Sequence, residues 1–166
     1  MLSQILVLFA IVFDLISFQF KSQRKIVCCL FFAAGFNSLH FFLLEQWTAA
    51  GLMALGSLRY FTSIFTISKI MLIVFSIASI MVASVTYMGL ISILACCGSL
   101  IKTAAAFCKS DQVLRQLMIL GTACWIVHNY IVGSPTAVIL EWLFLLSNFV
   151  GYYRYYIMPL RNKVEM

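Results

Sequence analysis

The sequence predicts an all-α integral membrane protein with seven transmembrane helices: two parallel three-helix repeats joined by a connector helix (3+1+3), with the N-terminus outside and the C-terminus inside. Three observations carry that expectation. Hydrophobic residues make up 64% of the 166 positions and charged residues 10%, with a mean hydropathy of +1.06, so a water-soluble fold would have almost no polar surface to present. The chain also divides into apolar runs of roughly 20 residues, the length that crosses a hydrocarbon core, separated by very short polar breaks. Finally, it carries a faint copy of itself 88 positions on: Lys21-Ser22 and His40 against Lys109-Ser110 and His128, Thr48-Ala49 against Thr136-Ala137, and Asp14 against Lys102, with no gap. No segment alternates in the manner of an outer-membrane barrel strand.

Span 1 is expected over about Leu2 to Phe20. It starts without a basic stretch and is followed by Lys21, Arg24 and Lys25, the reverse of a cleaved signal peptide, so it is expected to stay. Asp14 lies inside it, about 10 Å from the boundary at 1.5 Å per residue. Span 2, about Ile26 to Leu44, ends at His40 and precedes Trp47, an interfacial aromatic. Span 3, about Thr48 to Thr66, carries Arg59 near its middle, and span 4, about Ile70 to Tyr87, has no charge and no counterpart in the chain. Span 5 follows Met88-Gly89 and runs to about Cys108 with Lys102 inside it. Span 6, about Val113 to Val132, holds Trp125, His128 and Asn129 and turns at Gly133-Ser134-Pro135. Span 7 runs from about Thr136 past Glu141, Asn148 and Arg154.

The segmentation gives a first three-helix unit over 1–68, a connector over 69–88, a second unit over 89–158 and a cytoplasmic tail over 159–166. The breaks after spans 1, 3, 5 and 7 hold Lys21, Arg24, Lys25, Lys69, Lys109, Arg154, Arg161 and Lys163, with Arg115 just inside span 6, and the other breaks hold none. By the positive-inside rule the basic side is cytoplasmic. A three-helix unit ends on the side opposite its start, so two parallel copies need one connector between them. In transporters of that build the substrate site lies between the halves.

The net charge of +6 comes from scattered lysines and arginines with no aromatic interleaving, so no nucleic-acid partner is expected. The partners implied are the lipid bilayer and an unidentified small solute, and the composition leaves room for a homo-oligomer. The six cysteines (28, 29, 96, 97, 108 and 124) have no zinc-ribbon spacing. They read as buried, reduced thiols packing as small hydrophobes, with a soft-metal conduit through Cys28-Cys29 or Cys96-Cys97 as the sharper alternative. No cofactor and no enzyme activity are expected, because the chain has no zincin motif, nucleophile elbow or phosphate loop.

Four charges inside spans, Asp14, Arg59, Lys102 and Glu141, each cost about 2.5–3.5 kcal/mol at a helix centre, so they should face the interior and pair. With His40 and His128 they read either as a polar or proton pathway or as structural pairs that set helix register. Arg59 offers five donors, to an anionic solute or to Asp14 or Asn148. Lys102 can instead snorkel to the boundary, while Asn129 and Asn148 read as interhelical hydrogen-bond partners. His128 and Glu141 flank the Gly133 turn at equal depth, so an imidazole to carboxylate bond between them is expected.

At Cys124-Trp125, His128-Asn129, Gly133-Ser134, Glu141, Phe144-Leu145-Leu146, Asn148 and Arg154, and in the first half at His40-Phe41-Phe42-Leu43-Leu44 and Arg59, the chain resembles the YgjV family of bacterial inner-membrane proteins. The resemblance covers nearly the whole chain and implies a bacterial inner membrane. In topology alone the plan is similar to the SWEET sugar facilitators and PnuC-type vitamin transporters. It departs from the SWEET pattern in having no proline in spans 1 and 5, since Pro135 and Pro159 are the chain's two prolines. The function expected is a facilitator or secondary transporter for a small polar solute. A membrane scaffold or accessory subunit is the rival reading, and soft-metal transport a lesser one.

Overall fold

The structure, a computed structural model, describes residues 2–160, so Arg161, Lys163 and most of the expected tail lie outside the described residues. It contains seven α-helices, and no strand among the described residues: α1 (Leu2–Ser17), α2 (Gln23–Leu43), α3 (Trp47–Phe65), α4 (Lys69–Val85), α5 (Leu90–Ala106), α6 (Asp111–Val132) and α7 (Pro135–Tyr152). A π-helical turn over Tyr153–Ile157 prolongs α7. Local chemistry sets the ends. Ser68 and Ser110 cap α4 and α6 by accepting from the backbone N–H groups of Ile70 and Val113. Gly133 takes the left-handed conformation that stops α6, and Pro135, which lacks an N–H, opens α7. Two segments, α2 and Pro135–Leu160, are long and apolar enough to cross a membrane, whereas Ile5–Ser17, α4 and α5 are apolar but shorter.

The burial pattern is the inverse of a soluble protein's. Leu8, Phe9 and Val12 of α1, Ile70, Ile73 and Ile77 of α4 and Trp142 and Leu146 of α7 are exposed, while Asp14, Arg59, Lys102, Arg115, Glu141 and both histidines are buried. In hydrocarbon this minimises free energy, because apolar side chains lose nothing by facing lipid and charges find partners only within the protein.

Six helices close a ring. Helix α1 packs on α2, α2 on α3, α3 on α5, α5 on α6, α6 on α7, and α7 returns to α1; α4 lies outside, against α3 and α5. Advancing every helix of the ring by 88 positions exchanges its contacts among themselves, the α3–α5 contact becoming α7–α1. Burial follows the same register. The buried residues of α2 are Ile26, Val27, Leu30, Ala33, Ala34, Asn37, His40 and Phe41. Those of α6 are Leu114, Arg115, Met118, Gly121, Thr122, Trp125, His128 and Asn129, the same eight positions advanced by 88. Each buried position of α7 likewise has a buried counterpart in α3.

Candidate functional site

The site is the centre of the ring. Asp14 from α1, Arg59 from α3, Lys102 from α5 and Glu141 from α7 line one cavity of about 30 Å3, closed further by Asn37, Tyr60, Trp125 and Phe144. That volume holds one or two water molecules. The four charged side chains come from four different helices, two from each side of α4, and their formal charges cancel. All four are at most 8% exposed.

Two of them pair directly. Lys102 Nζ lies 3.4 Å from Glu141 Oε2, and the ammonium also sits 5.0 Å from the Phe144 ring centre and 5.8 Å from that of Trp125. Lys102 therefore turns inward to pair, the first of the two readings of it, and does not snorkel to the boundary, because the carboxylate and two aromatic faces stabilise the cation inside. Arg59 donates from Nη1 to the Ser99 carbonyl at 3.0 Å, to Ser99 Oγ at 3.3 Å and to Thr103 Oγ1 at 2.6 Å, and its guanidinium lies 4.8 Å from the Tyr60 ring centre. It thus clamps α3 to α5 and does not bind Asp14 or Asn148. Its Nε is buried with no partner among the described residues.

The expected His128–Glu141 bond is corrected by the rotation of the helices. Helix α6 directs His128 at α5, where Nδ1 lies 3.0 Å from the Ile91 carbonyl, while α7 directs Glu141 at Lys102 on the ring axis. His40 is placed by the same rule in the first half, with Nδ1 3.1 Å from the Ser3 carbonyl and 2.7 Å from Ser3 Oγ. Ser3 and Ile91 are themselves 88 positions apart, so the two histidines tie equivalent helix ends. A second cavity, of about 10 Å3, is lined by His40, Asn129 and Glu141 among others, and it shares Asn37, Met53 and Glu141 with the first. Asn129 Oδ1 has no partner among the described residues. Asn148 donates to the Arg115 carbonyl at 2.8 Å, away from the cavity.

Sequence reasoning missed Arg115, which was grouped with the loop charges but is fully buried. Its Nη1 and Nη2 reach the carbonyls of Phe18 and Phe20 at 3.1 and 2.5 Å, just past the end of α1, where orphan carbonyls attract a cation. Asn37 was also missed, whereas Ser99 and Thr103 act as the interhelical hydrogen-bond partners expected of span-facing serines and threonines in general, with Arg59 as the partner that the sequence did not name. The cysteines are all free but none is fully buried, and Cys97 is exposed, because they lie on the flanks of their helices and not on the inward faces. Among the described residues no group of three or more His, Cys, Asp or Glu is placed to hold a metal ion.

A family model described as bacterial inner membrane protein, Imp-YgjV, matches residues 1–159. The chain is 26% identical over 144 residues to the inner membrane protein YgjV of Escherichia coli (strain K12), covering 87% of this chain and 75% of that relative. No solved structure matches. With a match running from the first helix through the turn that follows α7, the chain belongs to the YgjV family and is a protein of the bacterial inner membrane.

Proposed function

We propose that this protein is a secondary transporter or facilitator for a small polar solute, working from the charged cavity between two three-helix halves. The observation that carries the reading is the convergence of Asp14, Arg59, Lys102 and Glu141, from four helices of both halves, on one internal space. In the proposed arrangement all seven helices span, with the N-terminus periplasmic and the C-terminus cytoplasmic, as the one-sided basic breaks favour. The two halves are parallel units and α4 is the connector between them. A cavity of about 30 Å3 is then the occluded state, and rocking of one half against the other opens it to either side. Charges of both signs on its wall suit a dipolar solute better than an apolar one. A purely structural set of pairs, as in a scaffold or accessory subunit, is the competing account, and it requires no opening.

Accessibility separates the two without knowledge of the solute. In a chain whose six cysteines are replaced by serine or alanine, Leu52→Cys places a thiol on the wall of the first cavity. A membrane-impermeant maleimide should label it in right-side-out and in inside-out vesicles. The exposed controls Glu45→Cys and Lys21→Cys should label only from the periplasmic and only from the cytoplasmic side, respectively. Labelling of the cavity thiol from one side alone, or from neither, would overturn alternating access.

A further inference from the structure

The second cavity contains a base that the ion pairs of the first do not use. Nδ1 of His40 lies 3.1 Å from the Ser3 carbonyl, which can only accept, and 2.7 Å from Ser3 Oγ, which can accept or donate; the tautomer that satisfies both contacts carries its proton on Nδ1 and its lone pair on Nε2. Nε2 is buried and has no partner among the described residues, and the ring is 2% exposed. The cavity that His40 lines is also lined by Glu141, the residue whose Oε2 holds Lys102 on the other side. One carboxylate therefore stands on the wall of two cavities, with a cation in one and a base in the other.

We infer that His40 Nε2 is a proton-binding site, and that protonated His40 competes with Lys102 for Glu141. A proton taken up by the Nε2 lone pair creates a second cation on the wall of a cavity that the Glu141 carboxylate also lines. Glu141 can then be shared with or surrendered to the imidazolium, which frees the Lys102 ammonium for an anionic group in the first cavity. Protonation of His40 thereby promotes solute binding at Lys102. This coupling role rests on the transport reading, whereas the proton site itself does not.

The other charged and titratable groups near α2 are placed differently. Asp14 of α1, Arg59 and Tyr60 of α3 and Lys102 of α5 line the first cavity only, Glu45 is exposed beyond the end of α2, and His128 of α6 is tied to Ile91. Glu141 is the one charged group that shares the second cavity with His40. In the other half Met53 stands at the position equivalent to Glu141, so this arrangement occurs once among the described residues.

The chain has two histidines, so 15N-histidine labelling of the protein in lipid nanodiscs gives two sets of ring signals, assigned by His128→Gln or equally by His40→Gln. The expected result is that His40 keeps Nδ1 protonated throughout, while Nε2 goes from unprotonated to protonated between about pH 8.5 and pH 5. Glu141→Gln should weaken that proton binding at least about threefold, and Lys102→Gln, which removes the competitor, should strengthen it. Three results would overturn the assignment: a ring protonated at Nε2 and bare at Nδ1 at high pH, no titration of His40 across the range, or an affinity unmoved by both variants. Failure of the Leu52→Cys labelling with an intact His40 titration would sink transport and leave the proton site standing. The reverse outcome would sink the proton site alone.

Discussion

The two halves of the ring are built alike and furnished differently. The buried positions of α2 and α6 coincide 88 apart, those of α7 all have buried counterparts in α3, and the two histidines hold equivalent carbonyls. Yet at positions 88 apart Asp14 stands against Lys102, Met53 against Glu141, Arg59 against Ser147, Val27 against Arg115 and Asn37 against Trp125. Backbone packing needs only that an inward position be inward. The chemistry of the cavity depends on what is placed there, and a symmetric scaffold with a dissimilar lining gives an asymmetric site. Volume is adjusted along with charge. A Cβ on Gly98 would lie 2.8 Å from Trp125 and one on Gly121 would lie 2.8 Å from Lys102 Cγ, whereas the first half has Ala10 and Ala33 at those positions, with the smaller Asn37 and Asp14 at the facing ones. Glycine appears where the second half carries its larger side chains.

The comparison breaks most visibly at the ion pair. Lys102→Met should leave Glu141 buried without its cation and cost about 3–5 kcal/mol of stability. Asp14→Asn at the equivalent position should cost less than about 1 kcal/mol, since no side-chain hydrogen bond holds that carboxylate among the described residues. Adding Glu141→Leu to Lys102→Met should recover much of the loss, as a double-mutant cycle expects of a direct pair. Equilibrium unfolding in mixed micelles, followed by tryptophan fluorescence, measures these three variants and the Glu141→Leu single variant that completes the cycle. Equal costs at positions 14 and 102 would mean that the pair carries no special weight.

Next in size is the clamp on the end of α1. Arg115→Met unpairs the carbonyls of Phe18 and Phe20, worth about 2–4 kcal/mol in total. Gly151 lies against the same group: a Cβ there would collide with the Phe18 carbonyl and the Arg115 guanidinium, while its counterpart in α3 is Ser63. Gly151→Ser should therefore cost about 1–3 kcal/mol, and the same serine is native 88 positions earlier. Gly98→Ala should fall at the lower end of that range, because the backbone carbonyl that its Cβ would meet, that of Gly121, stands off at 3.2 Å and the nearer atoms belong to the Trp125 side chain at 2.8 Å. Thermal stability by size-exclusion chromatography orders the three variants.

Much of the fold was legible because its determinants are one-dimensional. The lengths of apolar runs, the polar breaks and the Gly133-Ser134-Pro135 breaker place the helix ends within about three residues, and the cost of charge in hydrocarbon sends Asp14, Arg59, Lys102 and Glu141 inward. The partners of those residues were not legible, because they depend on the rotation of each helix about its own axis. A turn of α6 decides whether His128 meets Glu141 or Ile91, and both arrangements satisfy the same hydropathy. Arg115 was unreadable for a related reason. Near a helix end it has the look of a topology charge, and its partners, the Phe18 and Phe20 carbonyls, lie on α1's far side of the sequence and show no side-chain signal.

The smallest expected effect sharpens the comparison at the turns that follow α2 and α6. Helices α2 and α6 end in the same hydrogen bond, the Gln46 N–H to the Phe41 carbonyl and the Ser134 N–H to the Asn129 carbonyl, each at 3.0 Å and 88 positions apart. The residue before each donor must be left-handed. In the second half it is Gly133 at φ 73°, and in the first it is Glu45 at φ 57°, the one non-glycine residue with positive φ among the described residues. A left-handed residue with a Cβ crowds the following carbonyl, and glycine does not. Glu45 is exposed, so its replacement removes no packing. Glu45→Gly should accordingly stabilise the protein by about 0.5–1 kcal/mol, the relief of strain being partly offset by the freer unfolded chain. Gly133→Glu should destabilise it by a similar amount. If the two substitutions move the unfolding midpoint in the same direction, the turns differ in energy by something other than backbone conformation, and the equivalence of the two halves stops at the helix ends.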